Sequence, residues 1–82
     1  MRIDLFLSVV NLVKRRAIAQ DMITHNAVLI NGAPIKPSRV VKVGDVIELR
    51  FFERAKRYET LAVPTARNIP KAAQNDYIKE IA

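Results

Sequence analysis

The sequence predicts an α+β domain in which two short helices pack on one side of a small antiparallel sheet, with a further helix at the C-terminus. Three observations lead to it. Apolar residues at the start recur at helical spacing, in Ile3, Phe6, Leu7 and Val10 and again within residues 14–25. From Ala27 onward they fall into short runs of strand length. The pairs Asn31-Gly32 and Gly44-Asp45 punctuate those runs as turns. Helices followed by strands is the order of segregated layers, not of alternating strand and helix.

The first helix carries Asp4 in its first turn, where a negative charge suits the helix dipole. A break follows around Asn11. Residues 14–25 form the second helix, with Ala17, Ile18 and Met22 inward and Gln20, Asp21 and Thr24 outward. His25-Asn26 ends it, because Asn tolerates the left-handed backbone of a helix terminus. Ala27 to Ile30 is a strand, and Asn31-Gly32 supplies the positive φ angles of a tight hairpin turn. Pro34 and Pro37 each remove a ladder donor, so residues 34–38 are irregular or lie at an edge. Val46 to Phe52 alternates as a strand does, Glu53 to Arg57 reads as a charged turn, and Tyr58 to Val63 as a last strand. Pro64 closes it. Residues 1–63 are therefore one domain, and 64–82 a linker with a helix from Pro70 to Ile81, where Ala73, Tyr77 and Ile81 share one face.

Charge narrows the partners. The 82 residues carry a net charge of +6. Residues 1–57 hold eleven Lys and Arg against five Asp and Glu, whereas residues 58–82 hold three of each. A basic domain with a neutral tail points to a polyanion. No cysteine is present, so disulfides and thiolate metal sites are excluded, and no apolar stretch is long enough to span a membrane. A soluble, cytoplasmic protein is expected.

Catalysis finds little support. The one histidine, His25, sits at a helix end, and no nucleophile is paired with it in a recognisable pattern. Asp4, Asp21, Asp45 and Glu48 are scattered. Two glycines in separate turns make no phosphate-cradling loop, and metal-ligand spacing is absent. No enzyme, no metal and no cofactor are expected.

The informative cluster is Lys14-Arg15-Arg16. Cations at the start of a helix oppose the dipole, at roughly 0.3–1 kcal/mol each. A chain selected for folding alone would place Asp, Ser or Glu there. Free backbone N–H groups and three cations together make a phosphate site, and this reading is favoured over that of a solvated charged turn. Arg2 either lies beside this cluster or belongs to a frayed terminus. Lys36, Arg39 and Lys42 surround the proline segment as a second contact strip or as a solvated loop. Asn31 is explained by its turn.

Five stretches occur in order: Arg2-Ile3-Asp4-x-Phe6-Leu7, Lys14-Arg15-Arg16-x-x-Ala19, Val28-x-Ile30-Asn31-Gly32, Lys36-Pro37-Ser38 and Val43-Gly44-Asp45-x-Ile47. Over about residues 1–50 the chain closely resembles the alpha-L RNA-binding motif, or S-four domain. The resemblance implies two packed helices over a small sheet. It also implies an RNA surface at the start of the second helix and the adjoining strand and loop, which assigns Arg2, Lys14, Arg15, Arg16 and Lys36 to RNA. Two positions depart from the pattern. Asn26-Ala27 stands where the family has Gly and a cation, which keeps the backbone geometry and loses a phosphate contact. Leu5 replaces a common Lys.

Such domains often sit on RNA-modifying enzymes, but nothing remains in this chain to carry that activity. The short chain and its C-terminal segment look most like the stand-alone bacterial ribosome-associated quality-control factors of the RqcP type. The neutral tail does not match the larger basic tail of the heat-shock recycling relatives. The resemblance implies binding to ribosomal RNA and tRNA on the large ribosomal subunit, alongside a factor that tails the nascent chain. A monomer is expected when the protein is free. The alternative is a targeting module that brings a separate RNA-modifying enzyme to its substrate.

Overall fold

At five of its turn and cap positions this chain's residue choice is steric. Left-handed backbone occurs at Asn11 (φ 63°), Asn26 (φ 57°), Asn31 (φ 53°), Gly32 (φ 82°) and Gly44 (φ 93°). Asn and Gly enter that region at least cost. These residues separate the elements of the computed structural model, which describes residues 1–81; residue 82 of the expected tail lies outside the described residues.

The elements are helix α1 (Ile3–Val9), helix α2 (Arg16–Thr24), and strands β1 (Val28–Ile30), β2 (Ala33–Pro34), β3 (Val46–Phe51) and β4 (Arg54–Thr60). A short 3-10 helix (Lys71–Asp76) and strand β5 (Ile78–Ile81) complete the chain. All pairings are antiparallel, in the order β2-β1-β3-β4-β5. The two helices pack on this sheet as expected of the α+β class. Pro34 lies on the edge strand, where its missing donor costs nothing.

The core joins every layer: Ile3, Phe6, Leu7 and Val10 from α1, Ala19 and Ile23 from α2, Val28 and Ile30 from β1, Ile47 and Leu49 from β3, and Ile78 from β5. Residues 36–41 run beside α1. Ile3 N–H donates to Arg39 O at 2.7 Å, Val41 N–H donates to Met1 O at 2.9 Å, and Arg2 pairs with Val40. The two turns are laced together: Asn31 donates to Asp45 and accepts from Val46 N–H, while Asp45 accepts from Lys42 N–H.

Three details differ from the sequence expectation. The inward face of α2 is Ala19 and Ile23; Ala17 and Ile18 are exposed, Ile18 to 43%. Five of the nine residues in this helix are apolar, so periodicity alone does not choose between adjacent faces. Strand β4 begins at Arg54, because Phe51 pairs directly with Arg54 and leaves only Phe52-Glu53 as the turn. The expected helix over 70–81 is instead a 3-10 turn and strand β5. A helix there would leave the edge of β4 open and Ile78 out of the core; as a strand the segment pairs with β4 and buries Ile78.

Candidate nucleic-acid interface

The site is organised by a buried carboxylate. Asp4 follows Ile3 at the start of α1 and is wholly buried. One of its oxygens, Oδ2, accepts from Arg2 Nη2 at 3.1 Å, Arg16 Nε at 3.2 Å and Gln20 Nε2 at 3.0 Å. The other, Oδ1, accepts from Leu5 N–H at 2.8 Å. Burial pushes the Asp4 carboxyl up, but hydrogen bonds from Gln20, Arg16 and Leu5 N–H, with the Arg16 charge, more than reverse this and hold it below the ordinary carboxylate value.

Arg2 and Arg16 thus converge on one oxygen from two different elements. Each uses one N–H group on Asp4, and a guanidinium has five, so most donors face outward. Both side chains remain almost half exposed. They present a preset pair of forks, the geometry that suits phosphate oxygens.

Helix α2 adds its own donors. Arg15 is its N-cap, in extended backbone and with no side-chain cap, so the first N–H groups of the helix stay open beside Arg15 and Arg16. Lys14 and Arg15 are exposed. The loop that carries them is braced by the C-terminal segment: Gln74 Nε2 donates to Val10 O at 2.8 Å and Asn11 Nδ2 donates to Ile69 O at 3.3 Å. Asn11 to Lys14 and Lys71 line a shallow hollow there.

The proline segment comes to the same side through backbone links. Arg39 O and Pro37 O accept from Ile3 and Asp4 N–H, which sets the Lys36–Arg39 stretch next to Arg2. Lys36 and Lys42 are exposed, whereas Arg39 Nη2 lies 3.7 Å from Asp45 and is partly neutralised. Asp4 and Gln20 are positioning residues that the sequence does not reveal: its pattern places Asp4 at the helix dipole and Gln20 toward solvent. The available signal was Asp4 standing among Ile3, Phe6 and Leu7, all buried.

A test of this arrangement follows from the sign of the Asp4 shift. A carboxyl depressed in the folded state stabilises it above its unfolded value, about 3.9, and that stabilisation is lost as pH falls through the lower folded value. Asp4→Asn is expected to destabilise the protein at pH 7 by about 1–3 kcal/mol, since an amide cannot accept three donors at one oxygen. The gap between wild type and variant should close as pH falls below about 4. Denaturant unfolding of both across pH 2.5 to 7 measures it; a gap that is the same at every pH would show that Asp4 is not ionised in the fold.

Residues 1–47 match the S4 domain family. An RQC P-site tRNA stabilizing factor of Helicobacter pylori (strain J99) is 47% identical over 78 residues, 95% of this chain and 93% of that protein. The factor of the same name from Bacillus subtilis (strain 168) is 41% identical over 54 residues, 66% of this chain and 63% of that one. Among solved structures, Vibrio cholerae Heat Shock Protein 15, described as trimeric, superposes with a TM-score of 0.90 at 27% identity, covering 100% of this chain and 82% of its own. The solution structure of a hypothetical protein superposes at 0.87 with 41% identity, covering 100% of this chain and 98% of its own.

Proposed function

This chain belongs to the S4 domain family, in the branch of the RQC P-site tRNA stabilizing factors, and from that premise we propose that it is a non-catalytic RNA-binding protein of the large ribosomal subunit. In this reading it contacts ribosomal RNA and tRNA during rescue of stalled ribosomes, in the cytoplasm, and steadies the tRNA while a tailing factor extends the nascent chain. The observation that carries the reading is the convergence of Arg2 and Arg16 on buried Asp4, beside the open start of α2. Those groups offer outward donors and positive charge, which recognise a phosphate backbone and not a reacting centre.

Lys14, Arg15, Lys36 and Lys42 extend the surface as exposed cations, and Arg39 contributes less because Asp45 shares its charge. The relatives named as P-site tRNA stabilizing factors support tRNA as one ligand.

Co-sedimentation with purified large subunits tests the proposal. If the surface neutralises roughly four phosphates, the log–log dependence of affinity on salt should have a slope of about −3 to −4. A slope near zero would remove the electrostatic account. Recovery of the protein with an RNA-modifying enzyme and not with large subunits would favour the targeting alternative.

A further inference from the structure

Among the described residues six have positive φ, and five of them are Asn or Gly. The sixth is Phe52, at φ 51° in the turn between β3 and β4. A bulky side chain in that region crowds its own carbonyl, so folding alone would select Asn or Gly, as it does at the other five. Phe52 is also fully exposed, and its neighbour Phe51 is 40% exposed. Local rules broken without a packing gain mark functional positions.

The surroundings of this tip are cationic. In an antiparallel ladder, directly opposed residues share a face. Ile47 and Leu49 are buried beneath the helices, and their face continues through Phe51, Arg54 and Lys56 by the pairings Phe51↔Arg54 and Leu49↔Lys56. Arg54 and Lys56 are exposed and make no ion pair among the described residues. On the other face Glu48 accepts from Arg50 at 2.7 Å and from Arg57 at 3.2 Å, so one acid is shared by two arginines. Glu53, in the turn itself, is the second acid, so Arg50, Arg54, Lys56 and Arg57 stand against Glu48 and Glu53 and the tip keeps a net positive charge.

It is also separate from the surface around Asp4. Arg50 N–H donates to Ala27 O at 2.8 Å, which places the hairpin beside the C-terminal end of α2. Arg16 stands at the other end of that nine-residue helix, about 12 Å away along its axis.

We propose that the tip of the β3–β4 hairpin is a second RNA contact, in which Phe52 stacks on an unpaired base while Arg54 and Lys56 hold the flanking phosphates. Aromatic faces interleaved with cations recognise single-stranded RNA, because every base has a face to stack and every linkage a charge. An apolar protein partner would want a contiguous apolar patch, whereas these two rings stand among charged residues, the cations Arg50, Arg54 and Lys56 outnumbering Glu53. The inference takes RNA as the partner class from the function proposed above and assigns it a new surface.

The chain has no tryptophan, so Phe52→Trp introduces one indole at the tip, which can be excited apart from Tyr58 and Tyr77. Its emission should be quenched by a short single-stranded oligoribonucleotide and not by an equal concentration of RNA duplex. Phe52→Asn in the full chain should lower affinity for the same oligoribonucleotide by about 5-fold or more, as loss of one stacked base does. It should leave the salt slope unchanged and raise the thermal midpoint by about 4–8 °C, since Asn relieves the backbone. Unchanged affinity with no quenching overturns the proposal, and so does a fall in the midpoint, which would make the ring structural. If Phe52→Asn weakens co-sedimentation with large subunits but not oligoribonucleotide binding, the tip meets protein and the proposal is wrong. Arg16→Ala assayed in parallel separates the two readings: if it still weakens RNA binding, the proposed function stands without the hairpin contact. If neither variant matters, both fail.

Discussion

Replacing Arg2 and Arg16 together by alanine is expected to weaken binding to the large ribosomal subunit by about 100-fold or more. A hydrogen bond to a charged group contributes roughly 1.5–3 kcal/mol, and each guanidinium offers a phosphate at least one. The two side chains are held to the same Asp4 oxygen at 3.1 and 3.2 Å, so they are preorganised and little ordering entropy is left to lose on binding. The variant also leaves a buried carboxylate with only Gln20 and Leu5 N–H as donors, which should destabilise the fold by about 1–3 kcal/mol. Affinity therefore has to be taken per folded molecule. Lys14→Ala with Arg15→Ala is the companion measurement: both residues are exposed and both oppose the helix dipole, so it should reduce affinity and the salt slope with no fall in thermal midpoint. Arg2→Lys with Arg16→Lys should retain the charge but recover only part of the affinity, because an ammonium lacks the fork. If the alanine pair binds normally per folded molecule, Asp4, Arg2 and Arg16 are a structural cluster and the interface lies elsewhere.

The legible parts of this molecule are those in which a single residue decides the backbone. Asn26 ending α2, Asn31-Gly32 and Gly44 were readable because few residue types tolerate positive φ. The helical stripe Ile3, Phe6, Leu7 and Val10 was readable because α1 has one apolar face and it is entirely buried. What stayed hidden depended on long-range competition. Whether Ala17 and Ile18 or Ala19 and Ile23 turn inward depends on where α1 and β1 lie, which no window of sequence contains. Asp4 reads as a dipole partner because two of its side-chain partners, Arg16 and Gln20, lie 12 and 16 positions along the chain. The cations Lys14, Arg15 and Arg16 stand out by sequence alone, but the device that orients Arg16 does not.

The C-terminal segment shows the same competition most strongly, and it yields the second large effect. Ala73, Tyr77 and Ile81 fit a helix locally, yet the open edge of β4 and the vacant end of the core take Ile78–Ile81 as a strand. Truncation after Val63, the boundary that composition and charge suggest, is therefore expected to unfold the domain or to lower its thermal midpoint by about 15 °C or more. Three losses add up. Ile78 is buried to 3% exposure, and removing it costs about 1.5–3 kcal/mol of transfer free energy, with further burial lost from Tyr77 and Ile69. The β4–β5 ladder goes, along with the bond from Leu61 N–H to Tyr77 O at 2.7 Å, and β4 becomes a bare edge. Gln74 and Asn11 no longer tie the tail to the loop before Lys14. Freed chain entropy offsets part of this, but a domain of this size has only about 4–12 kcal/mol of stability in all. Circular dichroism melts of residues 1–63 against the full chain measure the effect. Gln74→Ala separates bracing from folding: it should leave the core intact and the midpoint nearly unchanged, while lowering large-subunit affinity about 2- to 5-fold by loosening the Asn11–Lys14 loop. A truncated chain that melts cooperatively near the full-length midpoint and binds normally would show that the segment is an appendage and that the sheet is complete with four strands.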